Sequence, residues 1–147
     1  MKTLVCLAFL LSAALPALAQ RDDGTSMTPI IERANKVVTM LEKKNMEVVR
    51  VELDIVAGEK ETSRYLSDSW TYGAIAVADD RVDDLDLYVF KEVDGEWVQV
   101  KKDDTEDATP AVVIKPGATS LYKFVVKAHK YANGATAAHY ALVIYHE

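Results

Sequence analysis

Residues 85–100 have the sequence LDLYVFKEVDGEWVQV, in which two alternating stretches are joined by Asp94-Gly95. Apolar side chains recur there at a period of two, which is the period of a β-strand with one buried face. Asp-Gly between two such runs is a strong signal for a β-hairpin, because both residues tolerate positive φ. The stretch therefore predicts two antiparallel strands, Leu85–Phe90 and Glu96–Val100.

Runs of the same kind lie on both sides of this hairpin. An alternating stretch covers Val49–Ile55, and the segment after it, Gly58–Ser69, is polar and is predicted to be irregular. Because no helical segment separates the later runs, we predict an all-β, antiparallel, jelly-roll-like β-sandwich of about seven or eight strands. The remaining predicted strands are Trp70–Ala78, Ala111–Ile114, Leu121–Ala128 and Ala138–Tyr145.

One amphipathic helix precedes the strands. Thr28 can cap it, Pro29 suits the first helical position, and apolar side chains recur at helical spacing from Ile30 to Leu41. We therefore predict an N-terminal helix over residues 29–45, which packs on the sandwich within a single domain of residues 29–147.

The N-terminal residues predict export. Residues 1–19 combine a positively charged start, an apolar run from Leu4 to Leu15 and small side chains at Ala17 and Ala19, which is the pattern of a secretory signal peptide. Residues 20–28 follow as a polar leader. We expect a periplasmic or extracellular protein whose mature chain inserts into no membrane, since a spanning helix needs about 20 apolar residues.

Composition excludes further classes of protein. The net charge of −6 repels a phosphate backbone, which argues against nucleic acid as a partner. The one cysteine, Cys6, lies in the predicted signal peptide, so the mature chain can form no disulfide. The sandwich must therefore be stabilised by its hydrophobic core alone.

The second half of the chain has a recognisable order of strands and loops. The strand DLDLYVF at 84–90 is followed by the acidic loop DDTED at 103–107, by LYKFVV at 121–126 and by YALVI at 140–144. This order resembles the bacterial pre-peptidase C-terminal domains, which are jelly-roll-like sandwiches attached to exported enzymes. The resemblance implies a bacterial origin and this fold. It implies an accessory role less directly, because a helix precedes the strands here.

Two acidic clusters predict a metal site. Asp84 and Asp86 share one strand face, and Asp103, Asp104 and Asp107 lie in a loop that can return to the same end of a sandwich. Ca²⁺ prefers six to eight oxygen ligands from flexible loops, and it would relieve the repulsion between these carboxylates. The resemblance also implies calcium, since some members of that family bind it through acidic loops. The alternative is that the aspartates form solvated turns.

The histidines keep an enzymatic alternative open. His129 and His139 lie on the last two predicted strands, and strand parity with a turn at Asn133-Gly134 predicts that they share one face of a hairpin. Two imidazoles there would make a weak metal site or would serve a small secreted hydrolase. No Gly-x-Ser-x-Gly motif accompanies them.

Two aromatic side chains on the strand Leu85–Phe90 have two possible roles. Tyr88 and Phe90 share the face of Asp86, which predicts either that the helix covers this face or that a sugar stacks on it. Together these observations favour an exported, non-catalytic binding or accessory module, with calcium as the candidate ion and an unknown protein or carbohydrate as the ligand. The alternatives are the hydrolase and a structural, envelope-associated protein that makes contact through its helix.

Overall fold

The computed structural model describes residues 26–147, which form one helix and eight strands. The predicted signal peptide, residues 1–19, and residues 20–25 of the leader lie outside the described residues. The elements are α1 Thr28–Lys43, β1 Glu47–Val56, β2 Glu59–Leu66, β3 Tyr72–Ala78, β4 Val82–Val93, β5 Glu96–Asp103, β6 Ala111–Ile114, β7 Ser120–Tyr131 and β8 Ala138–His146.

The strands form two antiparallel four-stranded sheets with the orders β1-β8-β3-β6 and β2-β7-β4-β5. Most connections cross from one sheet to the other, which is the jelly-roll arrangement. The predicted all-β sandwich is therefore confirmed. The predicted hairpin is also present, because Val93 pairs with Glu96 around a turn in which Asp94 and Gly95 have φ of 52° and 84°.

The main core lies between the sheets. On β4, the alternate residues Leu85, Leu87 and Val89 are fully buried there, as the period of two predicts. On β7, Phe124 and Val126 meet them from the neighbouring strand. The hydrophobic burial that stabilises the fold is concentrated in these two central strands and in β3 and β8 opposite them.

Helix α1 packs on the outer face of the first sheet, against β8, β1 and β3. Its buried residues Ile30, Ala34 and Leu41 form a second cluster with apolar side chains of β3 and β8. The helix begins one residue earlier than predicted, with Met27 at the N-cap position, so Thr28 lies inside it. Tyr88 and Phe90 lie on the second sheet, and the prediction that the helix covers them is wrong.

Strand β2 was not expected from the sequence. Residues 59–66 were predicted to be irregular, but they pair with β7 over their full length. Only Leu66 at the end of this strand is buried. A strand at the edge of its sheet needs few apolar side chains, which explains the polar sequence.

Candidate functional site

The sandwich is open along the side where β1 and β2 form the edges of their sheets. The resulting cleft has a volume of about 490 Å³. On β1, Arg50 is paired with Ile144 and Glu52 with Leu142. Paired residues project from the same face of a sheet, and these two partners belong to the core, so Arg50 and Glu52 point into the space between the sheets. The cleft is lined by Val49, Arg50, Val51, Glu52, Arg64 and Tyr65.

The apolar side of β1 points the other way. Val51, Leu53 and Ile55 lie on the outer face of the sheet, where they are 45%, 37% and 47% exposed. The alternation of this stretch was interpreted as a strand that buries its apolar face, and the structure shows the opposite orientation. A β-bulge at Val49 accompanies the change.

A network of polar contacts crosses the cleft. The Arg50 guanidinium bonds to Glu52 Oε2 at 2.6 Å and to Thr62 Oγ1 of β2 at 3.2 Å. The hydroxyl of Tyr140 on β8 donates to Glu52 Oε1 at 3.2 Å. Burial, followed by the nearby charges of Glu52 and Asp54, raises the pKa of Tyr140, so this hydroxyl remains a donor at neutral pH.

Arg64 is the one basic side chain of the cleft without an anionic partner in residues 26–147. It is paired with the buried core residue Tyr122, so it too projects between the sheets. Its Nε is buried and has no hydrogen-bond partner. Sequence reasoning missed Arg50, Glu52 and Arg64, because charged residues that alternate with apolar ones are normally assigned to the solvent-exposed face.

The predicted metal ligand Asp86 lies on the outer face of the second sheet, and Asp84 lies two residues earlier on β4, between two register shifts. Asp84 and Asp86 are only 6% and 3% exposed, which is unusual for carboxylates. Asp86 Oδ2 accepts a hydrogen bond of 3.0 Å from the hydroxyl of Tyr88 and lies 3.8 Å from His129 Nδ1. Asp84 Oδ1 is buried without any donor. Burial and the bond to Asp86 raise the pKa of Tyr88 to about 12.

The loop between β5 and β6 reaches this acidic end, as predicted. Asp107 is brought beside β4 by its carbonyl oxygen, which accepts a bond of 2.8 Å from the backbone N–H of Leu85. Its carboxylate accepts instead from the N–H of Thr109 at 2.7 Å, within its own loop. Asp104 is paired with Lys102 at 2.5 Å.

Asp103 also makes local hydrogen bonds. Its carboxylate accepts from the Thr105 hydroxyl and from the Ala111 backbone N–H, and these two bonds lower its pKa. Asp103, Asp104 and Asp107 therefore have partners within or next to their loop. Within residues 26–147, no group of three His, Cys, Asp or Glu side chains is arranged to hold a metal ion. The calcium site at these five aspartates stays a prediction.

The two histidines are far from the predicted arrangement. β7 and β8 belong to different sheets, so His129 and His139 share no hairpin, and that prediction is wrong. The His129 side chain is 63% exposed on the second sheet. His139 is buried, with Nδ1 2.9 Å from the Arg81 guanidinium and 3.4 Å from Asp79. In the described part of the chain, neither imidazole is hydrogen-bonded to a serine or threonine hydroxyl.

The exposed aromatic face of the second sheet is occupied in part by its own side chains. The Lys123 ammonium lies 4.8 Å from the ring centroid of Trp97 and 5.4 Å from that of Phe90. These are cation–π distances. Because Lys123 lies over both rings, this face offers less stacking surface than the sequence suggested.

Among residues 26–147, no helix has the length and apolar character needed to cross a membrane.

No protein-family model and no curated protein matches this chain. Two solved structures are similar to it in the arrangement of their strands. One is the Yersinia pseudotuberculosis-derived mitogen, at 14% identity and a TM-score of 0.47, where the match covers 65% of this chain and 82% of that one. The other is Aeromonas hydrophila PliG, a periplasmic lysozyme inhibitor of g-type lysozyme, at 11% identity and a TM-score of 0.46, covering 71% and 90%. At these values neither likeness bears on ligand or partner.

Proposed function

We propose that the chain is a non-catalytic binding module of an exported protein and that the cleft between β1 and β2 is its ligand site. The observation that carries this proposal is the orientation of β1. The strand points Arg50 and Glu52 between the sheets and leaves Val51, Leu53 and Ile55 exposed. A change of one residue in register would bury the apolar set instead.

This orientation makes the fold less stable than the alternative in which the apolar side chains of β1 are buried. Burying apolar side chains is favourable by about 25 cal/mol per Å², and charged groups between two sheets lose hydration. Arrangements that oppose the most stable choice are expected where a protein binds or reacts. The cleft also brings several polar side chains together, Arg50, Glu52 and Arg64, as ligand sites do.

The proposal is tested by mapping backbone amide shifts of the ¹⁵N-labelled mature protein against a panel of neutral sugars, sugar acids, amino acids and dipeptides. We expect at least one class to shift the amides of Arg50, Thr62 and Arg64, and Thr62→Val to weaken that binding. The matched control is Glu61→Gln, whose side chain is on the outer face of the same strand and 67% exposed. Shifts confined to another face, or none with any class, would contradict the proposal.

A second proposal, favoured by a different observation, is that calcium stabilises the acidic end. The buried Asp84 Oδ1 has no donor, and a cation would satisfy it. Asp84 and Asp86 would hold the ion, with loop oxygens from Asp103, Asp104 and Asp107 completing the shell. The resemblance to pre-peptidase C-terminal domains, itself still a prediction, points to the same ion.

Calcium binding is tested by thermal unfolding of the mature protein in millimolar calcium and then in excess chelator. Calcium at 100 times its Kd stabilises the native state by about 2.7 kcal/mol, which raises the midpoint by several degrees. We expect Asp84→Asn to abolish the rise and Asp94→Asn, at the remote β4–β5 turn, to retain it. An unchanged midpoint for the unsubstituted protein would exclude a stabilising site.

A further inference from the structure

We infer that the ligand of the β1–β2 cleft is a carbohydrate that carries a carboxylate, as a uronic acid does. The inference rests on the proposed function and adds the chemical class of the ligand. It starts from the charges of the cleft. Arg50 is neutralised by Glu52, and Lys60 lies 3.1 Å from Asp54. Among the basic side chains of the cleft, that of Arg64 has no counter-ion in the described residues.

The unpaired group is a donor that lacks an acceptor. Arg64 lines the cleft, and no side chain or backbone oxygen of residues 26–147 accepts the proton of its Nε. A guanidinium presents its N–H groups as a planar fork that matches the two oxygens of a carboxylate. A ligand carboxylate that binds the Arg64 guanidinium from the cleft would therefore neutralise a charge that the protein leaves uncompensated.

The surrounding charges favour a monoanion over a phosphate. With Glu52 paired to Arg50 and Asp54 to Lys60, the cleft has one uncompensated positive charge, which a monoanion neutralises and a phosphate dianion would exceed. The same carboxylates accept hydrogen bonds from ligand hydroxyls. Thr62 adds one hydroxyl of the protein, already oriented by its contact with Arg50. A ligand with one carboxylate and several hydroxyl groups matches this set.

The rim supplies an apolar surface of the kind that sugar rings use. Tyr65 follows Arg64 on β2, so its side chain alternates to the outer face, and with 69% of its surface exposed it borders the cleft at the rim. An exposed aromatic ring next to polar groups can stack on the C–H face of a pyranose, while its own hydroxyl stays in water. Carboxylate recognition by Arg64, hydroxyl recognition by β1 and stacking on Tyr65 together describe an acidic sugar.

The test uses four probes on the ¹⁵N-labelled mature protein: D-glucuronate, D-glucose, acetate and inorganic phosphate. We expect glucuronate to shift the cleft amides and to bind at least about tenfold more tightly than the other three, which corresponds to about 1.4 kcal/mol. Arg64→Gln should remove that preference, and Arg64→Lys should restore it in part, because the charge returns without the fork. Lys115→Gln, which removes one charge next to β6 at the far edge of the first sheet, should bind like the unsubstituted protein.

The outcomes separate the ligand class from the site. Equal binding of glucose and glucuronate at the cleft would overturn the carboxylate while leaving the proposed site standing. Equal binding of acetate or phosphate would overturn the sugar. No binding of glucuronate, combined with binding of another class in the broader panel, would also overturn this inference alone. Loss of glucuronate binding in Lys115→Gln as strong as in Arg64→Gln would reduce the effect to net charge and overturn the role of Arg64.

Discussion

The ion pair between Asp79 and Arg81 links the β3–β4 turn to β8, and removing its carboxylate should lower the free energy of unfolding. Asp79, directly after β3, accepts hydrogen bonds from the backbone N–H of Arg81 at 3.0 Å and from the Arg81 guanidinium at 2.5 Å. It also accepts from the backbone N–H of His139 at 2.9 Å, which ties the β3–β4 turn to β8. The perturbation we choose is Asp79→Asn, which keeps the shape and removes the charge.

The size of the effect follows from these contacts. Removing one partner of a buried ion pair costs about 3–5 kcal/mol, because the other charge is left uncompensated. The Arg81 side chain is 28% exposed and can recover some hydration, so we expect a loss near the lower end, about 2–3 kcal/mol. For a domain of this size, that corresponds to a fall in Tm on the order of 10 °C.

The loss should depend on pH in a defined direction. Burial alone would raise the pKa of Asp79, but the hydrogen bonds from Arg81 and His139 outweigh it and lower the pKa below that of the unfolded chain. The stabilisation by Asp79 is therefore fully present above the unfolded pKa of about 4 and disappears as pH falls through the folded value. The difference in unfolding free energy between the unsubstituted protein and Asp79→Asn should shrink on acidification below that pH.

Urea denaturation at pH 7 and at pH 3 measures both parts of this prediction. The matched control is Asp80→Asn, because Asp80 pairs with Arg33 on the surface and is 86% exposed. Exposed ion pairs contribute about 0–1 kcal/mol, so this change should be small at both pH values. If Asp79→Asn lost no more stability at pH 7 than Asp80→Asn, the ion pair between Asp79 and Arg81 would contribute no more than an exposed pair, and the prediction would be wrong.

Two further substitutions test packing and electrostatics elsewhere. A Cβ at Gly73 would lie 2.0 Å from the Tyr145 ring, so Gly73→Ala should destabilise by about 1–3 kcal/mol, with recovery in the double variant with Tyr145→Leu. In the control Gly117→Ala, the added Cβ meets no atom within 4 Å, so the stability should not change. Equal losses of stability for Gly73→Ala and Gly117→Ala in urea denaturation would contradict the clash with Tyr145. Asp86→Asn should lower the Tyr88 pKa from about 12 towards 10, measured by ultraviolet titration; no change would rule out the hydrogen bond as a cause.

The period of two determined much of what could be predicted about the fold. Leu85, Leu87 and Val89 were assigned to one face of a strand, and the structure buries all three in the core. The same parity predicts that Asp84 and Asp86 share a face, but register shifts on both sides of Asp84 interrupt the alternation there, and the two residues pair with Lys130 and Lys127, which are three positions apart. Parity succeeds in β4 because the strand lies in the middle of its sheet, where the core side must be apolar.

At the edge strand β1 the same rule gave the wrong orientation. Alternation separates Val51, Leu53 and Ile55 from Arg50 and Glu52, but it does not say which set faces the core. That choice depends on β2, whose polar sequence provides no apolar surface opposite β1. The candidate ligand site could not be predicted from the sequence because two polar segments create it, and one of them was not predicted to be a strand.

The two Asx-Gly turns show why the pairing of strands is harder to predict than the strands. Asp94-Gly95 and Asn133-Gly134 both have positive φ at each residue, so their local chemistry was interpreted correctly in both cases. The first turn fills the whole connection between β4 and β5 and has the positive φ at both residues that suits a two-residue hairpin. The second lies within the longer loop 132–137, which is able to span the roughly 10 Å between packed sheets.

The connection between β7 and β8 explains why the prediction of a common face for His129 and His139 is wrong. The chain leaves the second sheet at Tyr131 and enters the first at Ala138. Positive φ indicates that a chain turns, but it does not decide whether the next strand pairs with the previous one. Loop length alone does not decide it either, because the two residues Ala57 and Gly58 lead from β1 in the first sheet to β2 in the second. The common face of His129 and His139 therefore depended on the pairing of β7 with β8, which the turn at Asn133-Gly134 does not determine.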